Sequence, residues 1–340
     1  MKAIIYSRTG GPDVLELVDR PTPDPGAGEV RVRISVSGVN PTDWKVRRGS
    51  APDQPLAVPE QVPGQDGAGV VDAVGSGVDG LTVGQRVWLW ESAFGRAAGT
   101  TAEYVVLPAA HVVPLPEGAS LDLGASLGIP AITAHRCLTM AEGVPARLAP
   151  GALAGRTVLV AGGAGAVGHA AIELARWAGA TVVATVSSPA KAALASAAGA
   201  HHVVDYRAGD PAAAIREVAP DGVDIVVEVA VAANAELDRA VLATNGAVVA
   251  YGGAPGDAVN VPVRDLMVAN TRLQFVLVYT MPAAAKREAV AAVSAAVEAG
   301  ALRVGEEAGL PLHRFPLERA ADAHAAVAAG AVGKVLIDIA

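Results

Sequence analysis

The stretch Thr157-Val-Leu-Val-Ala-Gly-Gly-Ala-Gly-Ala-Val-Gly168 decides the fold of this chain. Its first five residues form a β-branched, apolar run that is typical of a strand covered on both faces. Gly163, Gly165 and Gly168 then give the spacing G-x-G-x-x-G, and small and apolar residues follow at helical spacing. A second strand is predicted over Thr181–Val186. This strand–turn–helix–strand order within about 30 residues predicts a dinucleotide-binding turn.

Each glycine of this spacing has a physical reason. The first permits a sharp turn, the second removes a side chain where a pyrophosphate approaches backbone N–H groups, and the third lets the helix pack close to the strand. The helix N-terminus adds unpaired donors and partial positive charge. The alternative is a glycine-rich connector in a chain rich in alanine and glycine, but the flanking strand and helix favour the nucleotide site.

The end of the second strand predicts which dinucleotide binds. Sites for NAD usually carry Asp or Glu there, to bind the ribose 2′-hydroxyl. This chain has Ser187, Ser188 and Lys191 instead, and Tyr206 and Arg207 follow the next predicted strand. Two charge-assisted hydrogen bonds to a 2′-phosphate would favour NADPH by ~3–6 kcal/mol, roughly a hundredfold to ten-thousandfold. The alternative for Lys191 is a solvated lysine on the next helix.

Composition excludes several functional classes. The 340 residues predict about two domains. The formal net charge is −8 and no basic stripe is present, so we expect no nucleic-acid partner. No uncharged apolar run reaches the roughly 18 residues of a membrane helix, and the N-terminus predicts a strand rather than a signal peptide. Cys137 is the only cysteine, so no intrachain disulfide forms, which fits a cytoplasmic protein.

The predicted elements divide the chain into a β-rich part and an α/β part. Residues 1–127 contain short β runs separated by Pro/Gly turns, which predicts an irregular barrel or sandwich-like domain. Residues 128–302 repeat strand–helix units, and six parallel strands predict a doubly wound sheet. Residues 303–340 are predicted to return to the first domain, ending in a strand from Lys334. The six strands are predicted over Thr157–Ala161, Thr181–Val186, His202–Val204, Ile225–Glu228, Ala247–Tyr251 and Leu273–Val278.

Seven collinear stretches, spread over nearly the whole chain, carry a family resemblance. They are Gly38–Asp43, Pro63–Gly69, Ala102–Tyr104, Gly128–Ala134, Ala161–Gly168, Ala198–Tyr206 and Gly333–Leu336. Together they resemble the zeta-crystallin-like quinone oxidoreductases, a branch of the medium-chain dehydrogenase/reductase superfamily. The resemblance implies an α/β fold with a GroES-like, β-rich catalytic domain completed by the C-terminal tail. A Rossmann domain with a six-stranded parallel sheet and NADPH in the interdomain cleft are also implied.

The resemblance also implies positions around the cofactor. Asn40 and Lys45 would approach the nicotinamide, Thr133 would lie under the cofactor, and the glycine turn would cradle the pyrophosphate. From the residues and the resemblance together, the predicted cofactor-binding residues are Asn40, Lys45, Thr133, Gly163, Ala164, Gly165, Ala166, Val167, Gly168, Thr185, Ser187, Ser188, Lys191, Tyr206, Tyr251, Gly252, Gly253, Ala254, Val276, Leu277 and Val278. The chain departs from the family at Lys45, where tyrosine is frequent. An insert over residues 141–155 is either a surface excursion or a part of the cleft.

Many relatives in this superfamily are zinc alcohol dehydrogenases, but this sequence predicts no metal. Catalytic zinc needs cysteine, histidine or carboxylate ligands that converge. Asn40 stands at one ligand position, and the usual Gly-His-Glu is replaced by Gly64-Gln65-Asp66. A four-cysteine structural site is impossible with one cysteine. Without a Lewis acid, alcohol oxidation lacks its alkoxide stabiliser, whereas hydride donation to an electron-poor acceptor stays feasible.

Three functions are consistent with these observations. The first is an NADPH-dependent reductase of quinones or α,β-unsaturated carbonyls. The second is a specialised enoyl or double-bond reductase of a biosynthetic pathway. The third is a weakly catalytic NADPH-binding protein with a structural or sensing role, for which RNA binding is disfavoured by the acidic charge. The resemblance further implies a homodimer formed through Leu273–Val278.

Three side chains are candidates for catalysis in the first of these functions. Asn40 would donate a hydrogen bond to the acceptor carbonyl, and Asp43 or Lys45 would orient water or relay a proton. Structural roles are the alternative, since Asn40 can cap a turn before Pro41 and Asp43 can act as a helix N-cap.

Overall fold

The computed structural model describes residues 1–339 and divides by internal contacts into two units. The β-rich unit comprises Met1–Ile129 and the described residues from Leu312 onward. The α/β unit comprises Pro130–Pro311. Residues 303–311, which the sequence analysis places with the tail of the first domain, lie in the α/β unit.

Strands and helices are numbered along the chain. The strands are β1 (Lys2–Ile5), β2 (Glu16–Asp19), β3 (Glu29–Val39), β4 (Asp66–Val74), β5 (Arg86–Leu89), β6 (Tyr104–Pro108), β7 (Val112–Pro114), β8 (Thr157–Ala161), β9 (Thr181–Val186), β10 (His202–Asp205), β11 (Val223–Glu228), β12 (Leu242–Ala250), β13 (Arg272–Phe275), β14 (Leu312–Pro316) and β15 (Lys334–Asp338). The helices are α1 (Pro41–Arg48), α2 (Leu121–Leu138), α3 (Ala166–Trp177), α4 (Pro189–Ala197), α5 (Pro211–Val218), α6 (Val231–Val241), α7 (Val263–Val268), α8 (Ala283–Glu298) and α9 (Ala320–Ala328). Among residues 1–339, no helix combines the length and apolar content needed to cross a bilayer.

Strand β3 is the centre of the β-rich unit. The large sheet has the order β14-β15-β3-β4-β5-β7, with β6 also paired to β3, and β1 and β2 form a separate pair. Val30, Val32 and Ile34 of β3 are fully buried, whereas Arg31 and Arg33 between them point away from this core. This period of two is expected of a strand with one face on a hydrophobic core.

The α/β unit contains the predicted six-stranded, doubly wound sheet, which is confirmed. Its order is β10-β9-β8-β11-β12-β13 and every pair is parallel. The strand order therefore reverses between β8 and β11, and the carboxyl ends of strands at such a point are where α/β sheets bind ligands. Strand β13 is shorter than predicted, because the chain turns into a 3₁₀ helix at Val278–Thr280.

The insert at residues 141–155 packs on the α/β unit through two leucines. Leu148 and Leu153 are buried. The N–H of Leu148 donates to His135 Nε2 on α2 at 3.2 Å, and the N–H of Leu153 donates to the carbonyl of Ala178 at 2.8 Å. The insert is therefore anchored to this unit at both of its leucines.

A buried lysine fixes the C-terminal strand β15 to the rest of the β-rich unit. Lys334 Nζ donates to Asn40 Oδ1 at 2.9 Å and to Asp66 Oδ2 at 3.3 Å. Asn40 Nδ2 donates to Asp66 Oδ2 at 2.7 Å, and the N–H of Ile129 donates to Asp66 Oδ1 at 2.8 Å. The side chains of Lys334 and Asp66 are only 1% and 0% exposed. One buried ion pair thus joins β15, β4 and the junction of β3 with α1.

Replacing Lys334 with methionine should strongly destabilise the β-rich unit. The substitution leaves the buried Asp66 carboxylate without its cation, and removal of one partner of a buried pair typically costs about 3–5 kcal/mol. Chemical denaturation followed by tryptophan fluorescence measures this loss, since three of the four tryptophans lie in this unit.

The matched control is Lys2→Met, which removes an exposed lysine of the same unit and should change the free energy of unfolding by at most about 1 kcal/mol. The double variant Lys334→Met/Asp66→Asn should lose less free energy of unfolding than the sum of the losses in the two single variants. Strict additivity of the two losses would contradict the structural role of the pair.

Candidate functional site

The turn between β8 and α3 is built on a left-handed glycine. Gly162 has φ +71°, a conformation that residues with a side chain rarely adopt. The N–H groups of Gly162 and Gly163 both donate to the carbonyl of Thr185, at 3.1 and 3.2 Å, and the N–H of Gly165 donates to the carbonyl of Gly162 at 3.0 Å. The sharp turn that the sequence analysis assigned to Gly163 is therefore made by Gly162. The only sequence signal for it was the double glycine.

The three glycines of the G-x-G-x-x-G spacing differ in what surrounds them. A Cβ on Gly168 would overlap the carbonyl oxygen of Gly162, and a Cβ on Gly163 would lie 2.9 Å from Ala184 Cβ. A Cβ on Gly165 would meet only the oxygen of Gly162, at 3.5 Å. Two glycines are thus required by packing, whereas the space at Gly165 is open. This arrangement fits a pyrophosphate, which needs backbone N–H groups without a side chain in front of them.

Helix α3 begins at this open space without a side-chain cap. Gly165 is its N-cap residue, and no side chain accepts a hydrogen bond from the first turn. The first N–H groups of a helix have no intrahelical acceptor, so the amides of Ala166, Val167 and Gly168 are available to an anion. Ala164, just before the helix, is buried.

Hydroxyl and ammonium groups meet at the carboxyl end of β9. Lys191 Nζ donates to Ser187 Oγ at 3.0 Å. The N–H of Tyr206 donates to the carbonyl of Val186 at 3.0 Å, which places Tyr206 beside the same strand end, with 46% of its side chain exposed. The hydroxyl of Ser188 instead accepts from the N–H of Lys191 at 3.4 Å and caps α4. The structure thus brings Ser187, Lys191 and Tyr206 to one edge and uses Ser188 as a cap.

The residues after β12 also lie at the carboxyl edge of the parallel sheet. A Cβ on Gly252 would overlap the carbonyl oxygen of Val229, which follows β11, so glycine lets the two segments cross. The N–H of Ala254 donates to Asp257 Oδ2 at 2.7 Å, and Gly253 next to it is exposed. Burial raises the pKa of Tyr251, so its phenol stays protonated at neutral pH.

The remaining predicted residues of the α/β unit differ in exposure. Val276 and Val278 are buried, whereas Leu277 between them is 57% exposed. The N–H of Val276 still donates to the carbonyl of Ala250 at 2.8 Å, so the sheet pairing continues to this point. Thr133 lies on α2 and is buried.

Asn40 and Asp43 have distinct positions at the start of α1. Asn40 is the N-cap residue of α1, and its side chain also binds Asp66 and Lys334. Asp43 reaches back and accepts the N–H of Asn40 at 2.7 Å. Burial raises the pKa of Asp43 to about 7, the charge of Asp66 adds to this, and the charge of Lys334 opposes it. A carboxyl group with such a pKa can exchange protons near neutral pH.

The structure does not bring Lys45 to this cluster. Its ammonium lies 5.9 Å from the centroid of the Trp44 ring on the exposed side of α1. No hydrogen bond or ion pair described for residues 1–339 joins Lys45 to Asn40, Asp43 or Asp66.

Sequence reasoning missed Asp66 and Lys334 as members of this cluster. Both lie in stretches that carry the family resemblance, Pro63–Gly69 and Gly333–Leu336, but their contact joins positions 268 residues apart. The sequence motifs therefore drew attention to both stretches, but they could not predict the contact between Asp66 and Lys334. That contact depends on β15 and β4 both lying next to β3 in the sheet.

The described residues offer no cluster of three or more His, Cys, Asp or Glu side chains arranged to hold a metal ion. Asn40 and Asp66, which belong to the two stretches that the sequence analysis compares with zinc-binding motifs, bind each other and Lys334. Cys137 is a free, buried thiol on α2 whose pKa is raised by burial.

Two family models match the chain. One, the alcohol dehydrogenase GroES-like domain, matches residues 26–117. The other, the zinc-binding dehydrogenase model, matches residues 166–297. The predicted GroES-like and Rossmann architecture is thus confirmed.

Relatives and solved structures cover almost the whole chain. Quinone oxidoreductase of Rattus norvegicus is 32% identical over 99% of this chain and 97% of its own length. A structure of an NAD-dependent alcohol dehydrogenase has a TM-score of 0.85 at 30% identity, with both chains fully covered. Escherichia coli quinone oxidoreductase in complex with NADPH has a TM-score of 0.80 at 25% identity, covering 99% of this chain and 100% of that one. The chain therefore belongs to the medium-chain dehydrogenase/reductase superfamily, in its quinone oxidoreductase branch, and is an oxidoreductase.

Proposed function

We propose that this protein is a zinc-independent, NADPH-dependent reductase of quinones or other activated α,β-unsaturated carbonyls. The observation that carries the proposal is that Lys334 donates hydrogen bonds to Asn40 and Asp66. In the region where zinc-dependent relatives bind their metal, these side chains therefore bind an ammonium group of the protein and are not free to act as metal ligands. The similarity to quinone oxidoreductases over the full length supports the same conclusion.

The residues of the α/β unit fit NADPH. The open space at Gly165 and the free amides of α3 would bind the pyrophosphate, and Ser187, Lys191 and Tyr206 would bind the 2′-phosphate. When bound, NADPH supplies the hydride. The protein's own contribution is to bind and orient the reactants and to exclude water.

In the β-rich unit, Asn40 and Asp43 are the proposed catalytic groups. The amide of Asn40 has two N–H donors, and one of them is used by Asp66. The second would donate to the carbonyl of the acceptor. Asp43, with its raised pKa, would supply a proton. Lys45 would orient a water molecule or approach the nicotinamide ring of the cofactor.

The acceptor class can be established by one assay. We expect oxidation of NADPH, followed by its absorbance, when a quinone or an enone is offered. Turnover with an enoyl thioester alone would favour the specialised double-bond reductase, and tight NADPH binding without turnover would contradict the proposal. The rate should be unchanged after treatment with a strong chelator, and a loss of activity that zinc restores would refute zinc independence.

Replacing Lys191 with alanine should weaken NADPH binding and leave NADH binding nearly unchanged. Loss of one charge-assisted hydrogen bond costs ~1.5–3 kcal/mol, which predicts a roughly 10- to 150-fold higher Kd for NADPH. Fluorescence titration of both cofactors measures the difference. Lys2→Ala, which removes an exposed lysine of the β-rich unit, is the control and should bind both cofactors normally. Equal losses for NADPH and NADH would contradict a phosphate role.

We also propose that the protein forms a homodimer through β13. This strand ends the six-stranded sheet, so one of its edges has no partner strand among residues 1–339. Phe275 and Leu277 there are 59% and 57% exposed, and Met267 and Val268 on the neighbouring α7 are also exposed. An unpaired, apolar strand edge is a template for another strand. A second copy fits it, since two identical edges can pair around a twofold axis.

The double variant Val268→Glu/Phe275→Glu should therefore be a monomer in analytical ultracentrifugation, whereas the wild type should be a dimer. Buried carboxylates facing each other across the interface would oppose association. Leu17→Glu, an exposed apolar position on β2, serves as the control and should stay dimeric. A dimeric double variant would exclude this edge as the interface.

A further inference from the structure

The β-rich unit contains a cavity beside Asp43 that is partly open to solvent. Its walls include Tyr6, Asp43, Val46, Gln61, Gln65 and Ala93. Four of these six side chains are polar. Polar groups that are buried in its walls need partners, either from the protein or from a ligand.

One of these polar groups lacks a partner in the protein. Gln65 is only 6% exposed, and its Oε1 is buried without a hydrogen bond. Tyr6, which lines the same cavity, is 3% exposed. In contrast, Gln61 Nε2 donates to the carbonyls of Val62 and Arg96, so its amide is fixed. A buried polar group without a partner is uncommon in folded proteins, so the carbonyl oxygen of Gln65 indicates a ligand site.

Charges of opposite sign act on Tyr6. Burial and the charge of Asp43 raise the pKa of Tyr6 to about 12, and the charge of Arg47 opposes the rise. Arg47 is buried on α1 and donates to the carbonyl of Gly10 at 3.0 Å, with no ion pair described for it. Burial lowers the pKa of the neighbouring His324 to about 3, so Arg47 is the cation on this side. The phenol is thus protonated at neutral pH, and a phenolate formed transiently would be stabilised by Arg47.

We propose that this cavity receives the carbonyl oxygen of the acceptor, that Tyr6 delivers the proton to it, and that Gln65 accepts a hydrogen bond from the hydroxyl that forms. This inference rests on the proposed reductase function and refines it, because Tyr6 becomes the direct proton donor and the proton supplied by Asp43 reaches the acceptor through Tyr6. Asp43 lies close enough to Tyr6 to affect its ionisation and is the group that restores its proton.

The proposed step is balanced. Hydride addition gives the acceptor two electrons and leaves a negative charge on its oxygen. The O–H bond of Tyr6 breaks and an O–H bond forms on the acceptor, which has then gained one hydride and one proton. The Tyr6 phenolate takes the proton of Asp43, and the Asp43 carboxylate regains a proton from water.

The cavity also favours one class of acceptor. A quinone becomes a hydroquinone, whose hydroxyl can donate to Gln65 Oε1. An enoyl thioester keeps its carbonyl after reduction and has no such donor, so Gln65 would stay unpaired. Because a site with an unpaired buried polar group rejects the ligand that lacks its partner, we expect quinones to be preferred over enoyl thioesters.

The test is the variant Tyr6→Phe, which removes only the hydroxyl. Binding of resorcinol, a dihydric phenol that resembles hydroquinone, is measured by calorimetry on the protein without cofactor. We expect the variant to bind resorcinol at least about tenfold more weakly. With a quinone, its kcat should fall about a hundredfold, as for loss of a general acid. Tyr104→Phe, a tyrosine of the same unit outside the cavity, is the matched control and should change neither quantity.

The pH profile separates proton supply from a merely structural role. The wild-type kcat should fall as the pH rises through about 7, because Asp43 then loses the proton that it must donate. Burial is the main cause of the raised pKa of Asp43; among the neighbouring charges, Asp66 on β4 raises it further and Lys334 on β15 lowers it. In Asp43→Asn this decline should be absent and kcat should be low at every pH. An unchanged decline in Asp43→Asn would overturn the assignment.

Further outcomes are equally decisive. A Tyr6→Phe variant with wild-type kcat and wild-type resorcinol binding would overturn the inference. If this variant fails to fold, Ala93→Leu narrows the same cavity with Tyr6 intact, and it should lose resorcinol binding; retained binding would overturn the inference. Resorcinol binding that depends on Tyr6, in a protein that reduces no quinone, would support the cavity and refute the proposed function. If the protein reduces quinone but resorcinol binding does not depend on Tyr6, the proposed function is supported and the inference about the cavity is refuted.

Discussion

The β-rich unit depends on one buried positive charge. Burying an ammonium ion is costly unless a carboxylate and further hydrogen bonds compensate for the lost water. The structure meets this condition, because Lys334 is bound by both Asp66 and Asn40, and Asp66 also accepts a backbone N–H. The same charges fix the amide of Asn40 and influence the protonation of Asp43. Lys334 on β15 therefore affects the orientation of Asn40 and the pKa of Asp43, although β15 is remote in sequence from both residues.

The α/β unit depends on backbone geometry instead. Gly162 turns the chain, Gly163 and Gly168 allow close packing, and Gly165 leaves an open approach to the first amides of α3. Backbone groups bind phosphates without regard to the rest of the nucleotide. We therefore propose that discrimination between cofactors depends on the few side chains at the end of β9, where Lys191 and Ser187 are in contact.

The similar structures illustrate how little of the function follows from the fold alone. An alcohol dehydrogenase described as NAD-dependent and a quinone oxidoreductase bound to NADPH have comparable TM-scores with this chain. One scaffold thus accommodates different cofactors and substrates, as is general for widespread folds. We propose that in this chain the decisive side chains are Lys191 in one unit and Asn40 with Lys334 in the other.

The sequence by itself determined the features that are local or periodic. The glycine spacing after β8, the six alternating strand–helix units and the serines and lysine after β9 are all contiguous patterns, and the parallel sheet and the turn formed where they were predicted. Only the tertiary structure decided that Gly162 carries the left-handed turn, that Lys334 meets Asn40 across 294 residues, and that Tyr6 shares a cavity with Asp43 and Gln65. The physical reason is that strand pairing and packing bring distant positions together, and neither hydrophobic periodicity nor residue spacing encodes which distant side chains will share a buried space.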